Sequence, residues 1–384
     1  MNTIIAEVLR KLNRYKPRVL IGLCLILISH SNWADTLTPM PLRLTSDSIS
    51  KIELQDWVYA NKSDDIETLA RLLQQPGNTW QKLNPTQPYK IGIENYWLSF
   101  SIFNPKDHLS RIIALDNPLL DSIKIYHMID GDLVSTEIMG DTLAFKHRPL
   151  QSNIFLYPVQ LKPGETHTFY IKIDSKGSIR LPLVLWSSND LTQITETKNL
   201  FNGMQIGLLL AIFLFSLFIA LASTSYSYSY YSGYVLGLTL LTASLYGVSF
   251  RYLWPQWPFM QQYIFIIVIP LTLGCSLMFT EKVLQLKYHN LKMLYLCRIM
   301  AVLCFSLTVI MPFINYSSAL YILAFVVLTI CTILMAFSLI QAFGGQRNAP
   351  LYAIGRMGLM IGCIITGLIL SAYSPPICRH KRPS

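Results

Sequence analysis

Acidic residues are confined to one part of this chain. Nineteen of its 21 Asp and Glu residues lie between Asp35 and Glu196, and Glu281 is the only acid that follows them. Residues 35–200 mix polar and apolar side chains as a water-soluble domain does, whereas long apolar runs separated by short polar connections begin at residue 201. The chain is therefore expected to fold as a soluble domain followed by a membrane domain.

The first 34 residues have the pattern of a secretory signal peptide. Basic residues from Arg10 to Arg18 precede an apolar run at 19–28, and small and polar residues lead to Ala34. This order predicts a signal peptide at 1–34. Asn32 does not favour cleavage after Ala34, so an uncleaved anchor is the alternative, and both interpretations export residues 35–200.

The exported segment has the period of β-strands. Apolar residues alternate with polar ones at 96–102, 123–126, 169–173 and 181–185, and turn-forming residues stand between these runs at 104–107, 130–132, 163–164 and 175–177. Short alternating strands at such spacing predict an all-β sandwich over residues 35–200. One helix is expected before the strands, on an apolar stripe from Ile66 to Leu73 that stops at Pro76.

An all-α transmembrane bundle is predicted for residues 201–374. Six apolar segments are long enough to cross a bilayer: 204–221, 231–250, 263–280, 293–313, 317–343 and 351–373. Export of the sandwich places the connections at 222–230, 281–292 and 344–350 inside, where the basic residues are concentrated. Arg298 and Arg356 fall near segment ends, so we expect their side chains to reach toward the membrane surface. The basic tail at 375–384 would then lie outside, against that rule.

Composition argues against several functions. The net charge of +10 comes from residues at the ends of apolar segments, so no nucleic-acid partner is expected. The seven cysteines are scattered without ligand spacing, and no metal or cofactor is expected. A glycoside hydrolase would need paired carboxylates, but most candidates stand beside Gly, Asn or Pro and are expected to cap turns: Asp116, Asp121, Asp130, Asp132 and Asp141. We therefore expect no enzyme.

Ordered motifs in both halves resemble one receptor family. The sandwich carries YWLSF at 96–100, LDNPLLD at 115–121, GD at 140–141, RPL at 148–150 and SIRLPL at 178–183. The helical half carries YLWP at 252–255 and GGQRNA at 344–349. Together they resemble the bacterial seven-transmembrane receptors with diverse intracellular signalling modules, in which a type 2 extracellular domain precedes a seven-helix domain. The resemblance implies a jelly-roll-like sandwich related to carbohydrate-binding modules, located in the periplasm, and a bundle in the bacterial inner membrane.

Ligand-binding residues can be suggested within the sandwich. Sugar rings stack on aromatic faces while their hydroxyls meet polar side chains, which favours a small-molecule site with carbohydrates as the candidate class. The candidate residues are Tyr96, Trp97, Asp116, Asn117, Arg148 and Trp186. The alternative is that the aromatic side chains belong to the core and that Asp116 and Arg148 form a structural ion pair.

These features predict a membrane receptor whose sandwich senses a small ligand and transmits through the bundle. The family's seventh helix and output module are not recognised in this chain, so a signal would have to pass to a separate cytoplasmic signalling protein. The alternatives are a truncated receptor that only binds its ligand and, with less support, a membrane carrier. The lipid bilayer is a partner in each case.

Overall fold

A computed structural model describes residues 41–44, 50–62, 68–74, 80–82, 96–106, 108–175, 182–224, 226–344 and 349–358 of the 384-residue chain. The expected signal peptide at 1–34 and the basic tail at 375–384 lie outside the described residues.

The exported half is a two-sheet β structure, as its period of two predicts. Its strands are β1 Leu42–Arg43, β2 Lys51–Glu53, β3 Tyr59–Lys62, β4 Gln81–Lys82, β5 Tyr96–Phe103, β6 Leu109–Leu115, β7 Ser122–Ile129, β8 Asp132–Met139, β9 Phe155–Leu161, β10 Thr166–Asp174 and β11 Leu183–Ser187. The larger sheet has the order β4-β3-β5-β10-β7-β8, with β1 added in parallel to β5, and the smaller sheet has the order β2-β11-β6-β9. All other pairings between neighbouring strands are antiparallel.

The core lies between the two sheets because alternate residues of each strand point inward. In the larger sheet Phe100 and Phe169 are fully buried, and their ring centroids stand 5.1 Å apart. Opposite them, Phe155 and Leu185 of the smaller sheet belong to the same apolar cluster. This cluster fixes which face of every strand is left for other contacts.

A single short helix, α1 Leu69–Leu73, is described before β5. It covers part of the stripe predicted from Ile66 to Leu73, whose start lies outside the described residues. Leu72 is buried and packs with Trp97 on the outer face of the larger sheet. The helix therefore covers a sheet face that would otherwise meet water.

The sandwich passes directly into the first long helix, α2 Ser188–Ser223. Ser187, the last residue of β11, caps this helix by accepting a hydrogen bond from the backbone N of Asp190 at 3.3 Å. The fold thus changes from strand to helix before the composition changes at residue 200. Because α2 has 36 residues, its first turns stand outside the apolar part predicted to cross the bilayer.

The remaining helices of the bundle are α3 Tyr226–Leu245, α4 Val248–Tyr252, α5 Pro258–Val283, α6 Leu286–His289, α7 Leu291–Ile310 and α8 Tyr316–Phe343, with residues 349–358 forming α9. The segment predicted as one helix at 231–250 is interrupted, because Gly247 has a φ of +70° and separates α3 from α4. That part of the prediction was wrong, since glycine's freedom at positive φ ends α3 inside the apolar run.

Four helices within the described part of the chain are long and apolar enough to cross a membrane: Ser188–Ser223, Pro258–Val283, Leu291–Phe313 and Tyr316–Phe343. Helix α3, which contains many Ser and Tyr residues, is not among them but packs between α2 and α5. The sixth predicted segment, 351–373, is described only as far as residue 358. The number of spans therefore stays a prediction.

Candidate functional site

The outer face of the larger sheet carries a group of aromatic rings. Trp97 of β5 stacks on Tyr126 of β7 with centroids 5.8 Å apart, and Trp80 lies 6.1 Å from Tyr170 of β10. Trp97 is completely buried, whereas the other three rings are half-buried. The Lys172 amino group lies 5.9 Å from the Trp97 ring centroid. We call these five residues the aromatic face.

The aromatic face has the chemistry of a small-ligand surface. Helix α1 covers part of this face through Leu72. The rings that stay partly exposed can stack on an apolar ring face of a ligand, and an ammonium group beside them can donate hydrogen bonds to hydroxyls or carboxylates. Position on a rigid antiparallel sheet would hold these groups in a fixed arrangement, because β5, β7 and β10 are paired along their lengths.

The six residues suggested from the sequence do not form one site. Trp97 belongs to the aromatic face, but its neighbour Tyr96 points into the core between the sheets. Trp186 lies on the outer face of the smaller sheet, half-buried against Leu191 of α2. Consecutive residues of a strand point to opposite faces, so Tyr96 and Trp97 cannot line one surface.

Asp116 and Asn117 have local structural roles. Both carboxylate oxygens of Asp116 accept hydrogen bonds from the Lys198 amino group of α2 at 2.8 Å. The Asn117 side chain accepts a hydrogen bond from the backbone N of Leu119 at 3.1 Å. Asp116 therefore pairs with Lys198 and not with Arg148, the partner that the alternative interpretation gave it. This ion pair connects a sandwich loop to the membrane helix.

The sandwich rests on the bundle through a defined set of contacts. The backbone N of Phe145 donates a hydrogen bond to the carbonyl of Pro255 at 2.9 Å, and the two rings of Phe145 and Phe250 meet edge to face at 5.6 Å. At Gly247 a Cβ atom would stand 2.8 Å from the Asn153 carbonyl oxygen. A side chain at this position would press on the Asn153 carbonyl, so the close approach of the two backbones requires glycine. We call this region the junction.

Arg148 occupies the centre of the junction. Its guanidinium carbon lies 4.2 Å from the ring centroid of Phe155, 4.5 Å from that of Phe145 and 5.6 Å from that of Phe250. One Nη group donates hydrogen bonds to the carbonyls of Ser152 at 2.8 Å and Asn153 at 3.0 Å. Because Phe250 belongs to α4 and the other partners to the sandwich, Arg148 connects the two domains.

A buried carboxylate accompanies Arg148. Asp141 is 5 % exposed, and its Oδ1 atom has no hydrogen-bond partner within the described part of the chain. Burial and the nearby carboxylate of Asp121 raise the pKa of Asp141 to about 8, against the opposing effect of the Arg148 guanidinium. Gly140 has a φ of +152° and allows its segment to approach the backbone of Asp121, because a Cβ there would lie 2.1 Å from the Asp121 carbonyl oxygen. The junction therefore contains a group able to change charge near neutral pH.

A second polar group, not anticipated from the sequence, lies between the sheets. His127 Nε2 and His167 Nδ1 are 2.9 Å apart, and the Tyr157 hydroxyl lies 3.3 Å from His127 Nδ1 and 2.8 Å from Ser135 Oγ. Burial, reinforced by His167, lowers the pKa of His127 to about 4, and burial likewise lowers that of His167. The sequence could have predicted their burial, since both histidines continue the inward-facing rows of Ile125 and Phe169.

Comparison with known proteins identifies the family. The crystal structure of a GH31 alpha-xylosidase from Xanthomonas citri matches at 14 % identity over 34 % of this chain and 15 % of that one, with a TM-score of 0.16, which is too low to inform fold or function. Among curated proteins none matches. The model described as 7TMR-DISM extracellular 2 matches residues 58–187, and the model described as 7TM diverse intracellular signalling matches residues 198–377. The chain therefore belongs to the family of seven-transmembrane receptors with diverse intracellular signalling modules.

Proposed function

We propose that this membrane receptor-like sensor binds a small ligand, with carbohydrates as the candidate class, on the aromatic face of an exported sandwich in the bacterial periplasm. The bound sandwich then changes the arrangement of the bundle in the inner membrane. Transmission inward would reach a separate cytoplasmic protein through the connections at 222–230 and 281–292. Asp121 and Asp141 act in this function as residues of the junction and have no catalytic role.

The observation that carries the proposal is the contact of Arg148 with both domains. A receptor needs a path by which a change in the sandwich alters the membrane helices, and a loosely tethered domain would lack one. Here the guanidinium binds two sandwich carbonyls and lies over the Phe250 ring of α4. A shift of the loop at 145–155 would therefore act directly on the outer end of the bundle.

The energetic requirement is simple. A ligand shifts the bundle only to the extent that it binds one arrangement of the junction more tightly than another. One strand of the aromatic face, β7, begins at Ser122 beside Asp121, and its neighbour β8 ends at Met139 before Asp141, so both lead to the junction. A ligand that changes the positions of these strands would thereby change the surroundings of Asp141 and Arg148.

The ligand hypothesis is tested by thermal unfolding of the full chain in detergent or nanodiscs with a panel of monosaccharides, disaccharides and uronic acids. We expect at least one sugar to raise the melting temperature in a concentration-dependent manner. The same sugar should stabilise the Y126L variant less, because the stacked ring is lost, while L133Q, an exposed change on β8, should respond as the wild type does. A panel without any stabilising sugar would refute the carbohydrate assignment.

A further inference from the structure

The inner end of the bundle contains an arginine that is buried without an acidic partner among the described residues. Arg356 of α9 is 9 % exposed, and its Nε donates a hydrogen bond to the Tyr352 hydroxyl at 2.7 Å. One Nη group donates to Ser276 Oγ at 2.5 Å and reaches Thr280 Oγ1 at 3.4 Å. These hydrogen bonds all end on neutral hydroxyl oxygens. The guanidinium therefore lies between α9 and α5, on the Tyr352 side of α9. That this side chain reaches toward the membrane surface stays a prediction.

The only acid in this half of the chain cannot balance that charge. Glu281 is the sole Asp or Glu after residue 196. Its carboxylate receives two hydrogen bonds from Arg298, at 2.9 and 2.8 Å, and lies 3.7 Å from the Lys282 amino group. Glu281 is thus already shared between two cations, so Arg298 too has a partner that the sequence did not predict.

Two tyrosine rings stabilise the guanidinium only in part. Its carbon lies 5.0 Å from the ring centroid of Tyr352 and 5.8 Å from that of Tyr234. Such contacts are weak compared with the solvation that an ion loses when it is taken out of water. Because Glu281 is paired with Arg298 and Lys282, the Arg356 charge lies beside buried hydroxyls without a carboxylate of its own among the described residues.

The position of this cluster separates it from the junction. Ser276 is 18 residues from Pro258, the first residue of α5, which corresponds to roughly 27 Å along the helix. Since the junction lies beyond the Pro258 end, the cluster lies toward the opposite side of the membrane. The hydrocarbon core of a bilayer is about 30 Å thick, so this distance brings the cluster near the inner headgroup region.

From this arrangement we propose that Arg356, Ser276, Thr280 and Tyr352 form a binding site for a phosphate group. The planar guanidinium matches the geometry of phosphate oxygens, and the Ser276 hydroxyl can contribute a hydrogen bond of its own. The Thr280 hydroxyl already donates to the Ser276 carbonyl at 2.7 Å and contacts the Tyr352 hydroxyl, so these two groups position the site. A bound phosphate would supply the negative charge that the helical half lacks, and it would join α5 to α9. The phosphate can belong to an anionic lipid headgroup or to a free phosphate compound, and the two sources are separable.

The lipid arm measures thermal unfolding of the full chain in nanodiscs of phosphatidylcholine and in nanodiscs containing phosphatidylglycerol. We expect the anionic lipid to raise the melting temperature of the wild type and to lose most of this effect in R356Q. K287Q is the matched control, because Lys287 is an exposed cation of the inner connection at 281–292. The free-phosphate arm titrates inorganic phosphate into detergent-solubilised protein, and a stabilisation abolished by R356Q would assign the site to a free phosphate compound.

Substitutions that keep the charge separate a built site from general attraction. S276A and T280A should each weaken the anion effect at least several-fold while leaving the net charge unchanged, and they decide the matter if R356Q does not fold. The proposal is overturned if R356Q retains the wild-type response in both arms. It is equally overturned if K287Q loses as much as R356Q, or if S276A and T280A both respond as the wild type does.

Discussion

The Arg148 guanidinium of the sandwich lies 5.6 Å from the ring centroid of Phe250 in the bundle, while its Nη group binds the carbonyls of Ser152 and Asn153. An arginine so placed holds a sandwich loop in shape and attaches that loop to a membrane helix. The stability of the two domains should therefore depend on each other at this residue.

The first prediction concerns this coupling. R148Q should lower the free energy of unfolding by about 2–4 kcal/mol, because buried hydrogen bonds and cation–π contacts are lost together. In a double-mutant cycle with F250L, the two effects should deviate from additivity by about 0.5–2 kcal/mol. K146Q, a change at the exposed neighbour, should have little effect. Additive effects of R148Q and F250L would show that the two domains are not coupled here.

The second prediction concerns pH. The pKa of Asp141 is raised from 3.8 to about 8, so the folded state binds this proton more tightly than the unfolded state. Stability from this group is then complete below about pH 4 and is lost as the pH rises through about 8. D141N should flatten the decline and should stabilise the protein at pH 8 by on the order of 1–3 kcal/mol, the usual cost of an unsatisfied buried group. A D141N curve parallel to that of the wild type would contradict this.

The buried histidine pair gives a third prediction of opposite sign. The pKa of His127 is lowered from 6.5 to about 4, so the native state requires the neutral form. Stability from this residue is present above about pH 6.5 and is lost as the pH falls through about 4. H127F should cost about 1–3 kcal/mol at pH 7 and should make the loss between pH 6.5 and 4 shallower. H108Q, at an exposed histidine, should reproduce the wild-type pH profile, which chemical denaturation at each pH would measure.

A fourth prediction distinguishes the two outer faces of the sandwich. Tyr126 stacks on Trp97 on the larger sheet, whereas Trp186 lies on the smaller sheet beside Leu191. Y126L should weaken binding of a stabilising sugar by about threefold to tenfold, which corresponds to 0.5–1.5 kcal/mol of aromatic contact. W186L should leave the dissociation constant within twofold of the wild type. The reverse result, measured by calorimetry, would move the ligand to the smaller sheet.

Much of the fold follows from sequence periods, and the limits have physical causes. The alternation at 96–102 and 169–173 correctly predicted β5 and β10, because the inward-facing positions of both strands are apolar. In β5 the outer face is buried as well. The apolar run at 231–250 gave no sign of a break, because it contains three glycines and two of them, Gly233 and Gly237, lie inside α3. Only contact with the Asn153 carbonyl shows why Gly247 adopts a positive φ.

The candidate sites were harder to predict because they depend on which elements meet. The sequence suggested Arg148 as a ligand-binding residue. Its partner Phe250 lies far along the chain in α4 and its partner Ser152 lies in a loop, so no period relates them to Arg148. The pairing of Glu281 with Arg298 also requires the packing of α5 on α7. By contrast, strand geometry alone places Tyr96 and Trp97 on opposite faces. This rule could have shown from the sequence that the two residues do not line one site.

The central claim is that a ligand bound to the sandwich changes the bundle through the junction. Hydrogen–deuterium exchange of the full chain, with and without the sugar that gives the largest thermal stabilisation, tests it most directly. We predict altered exchange at 246–257 as well as in β5, β7 and β10. In G247A, whose added methyl group would meet the Asn153 carbonyl oxygen at 2.8 Å, the change at 246–257 should disappear, whereas G164A, with a φ of +81° and no neighbour within 4 Å, should retain it. Exchange that changes only in the sandwich of the wild type would contradict the account.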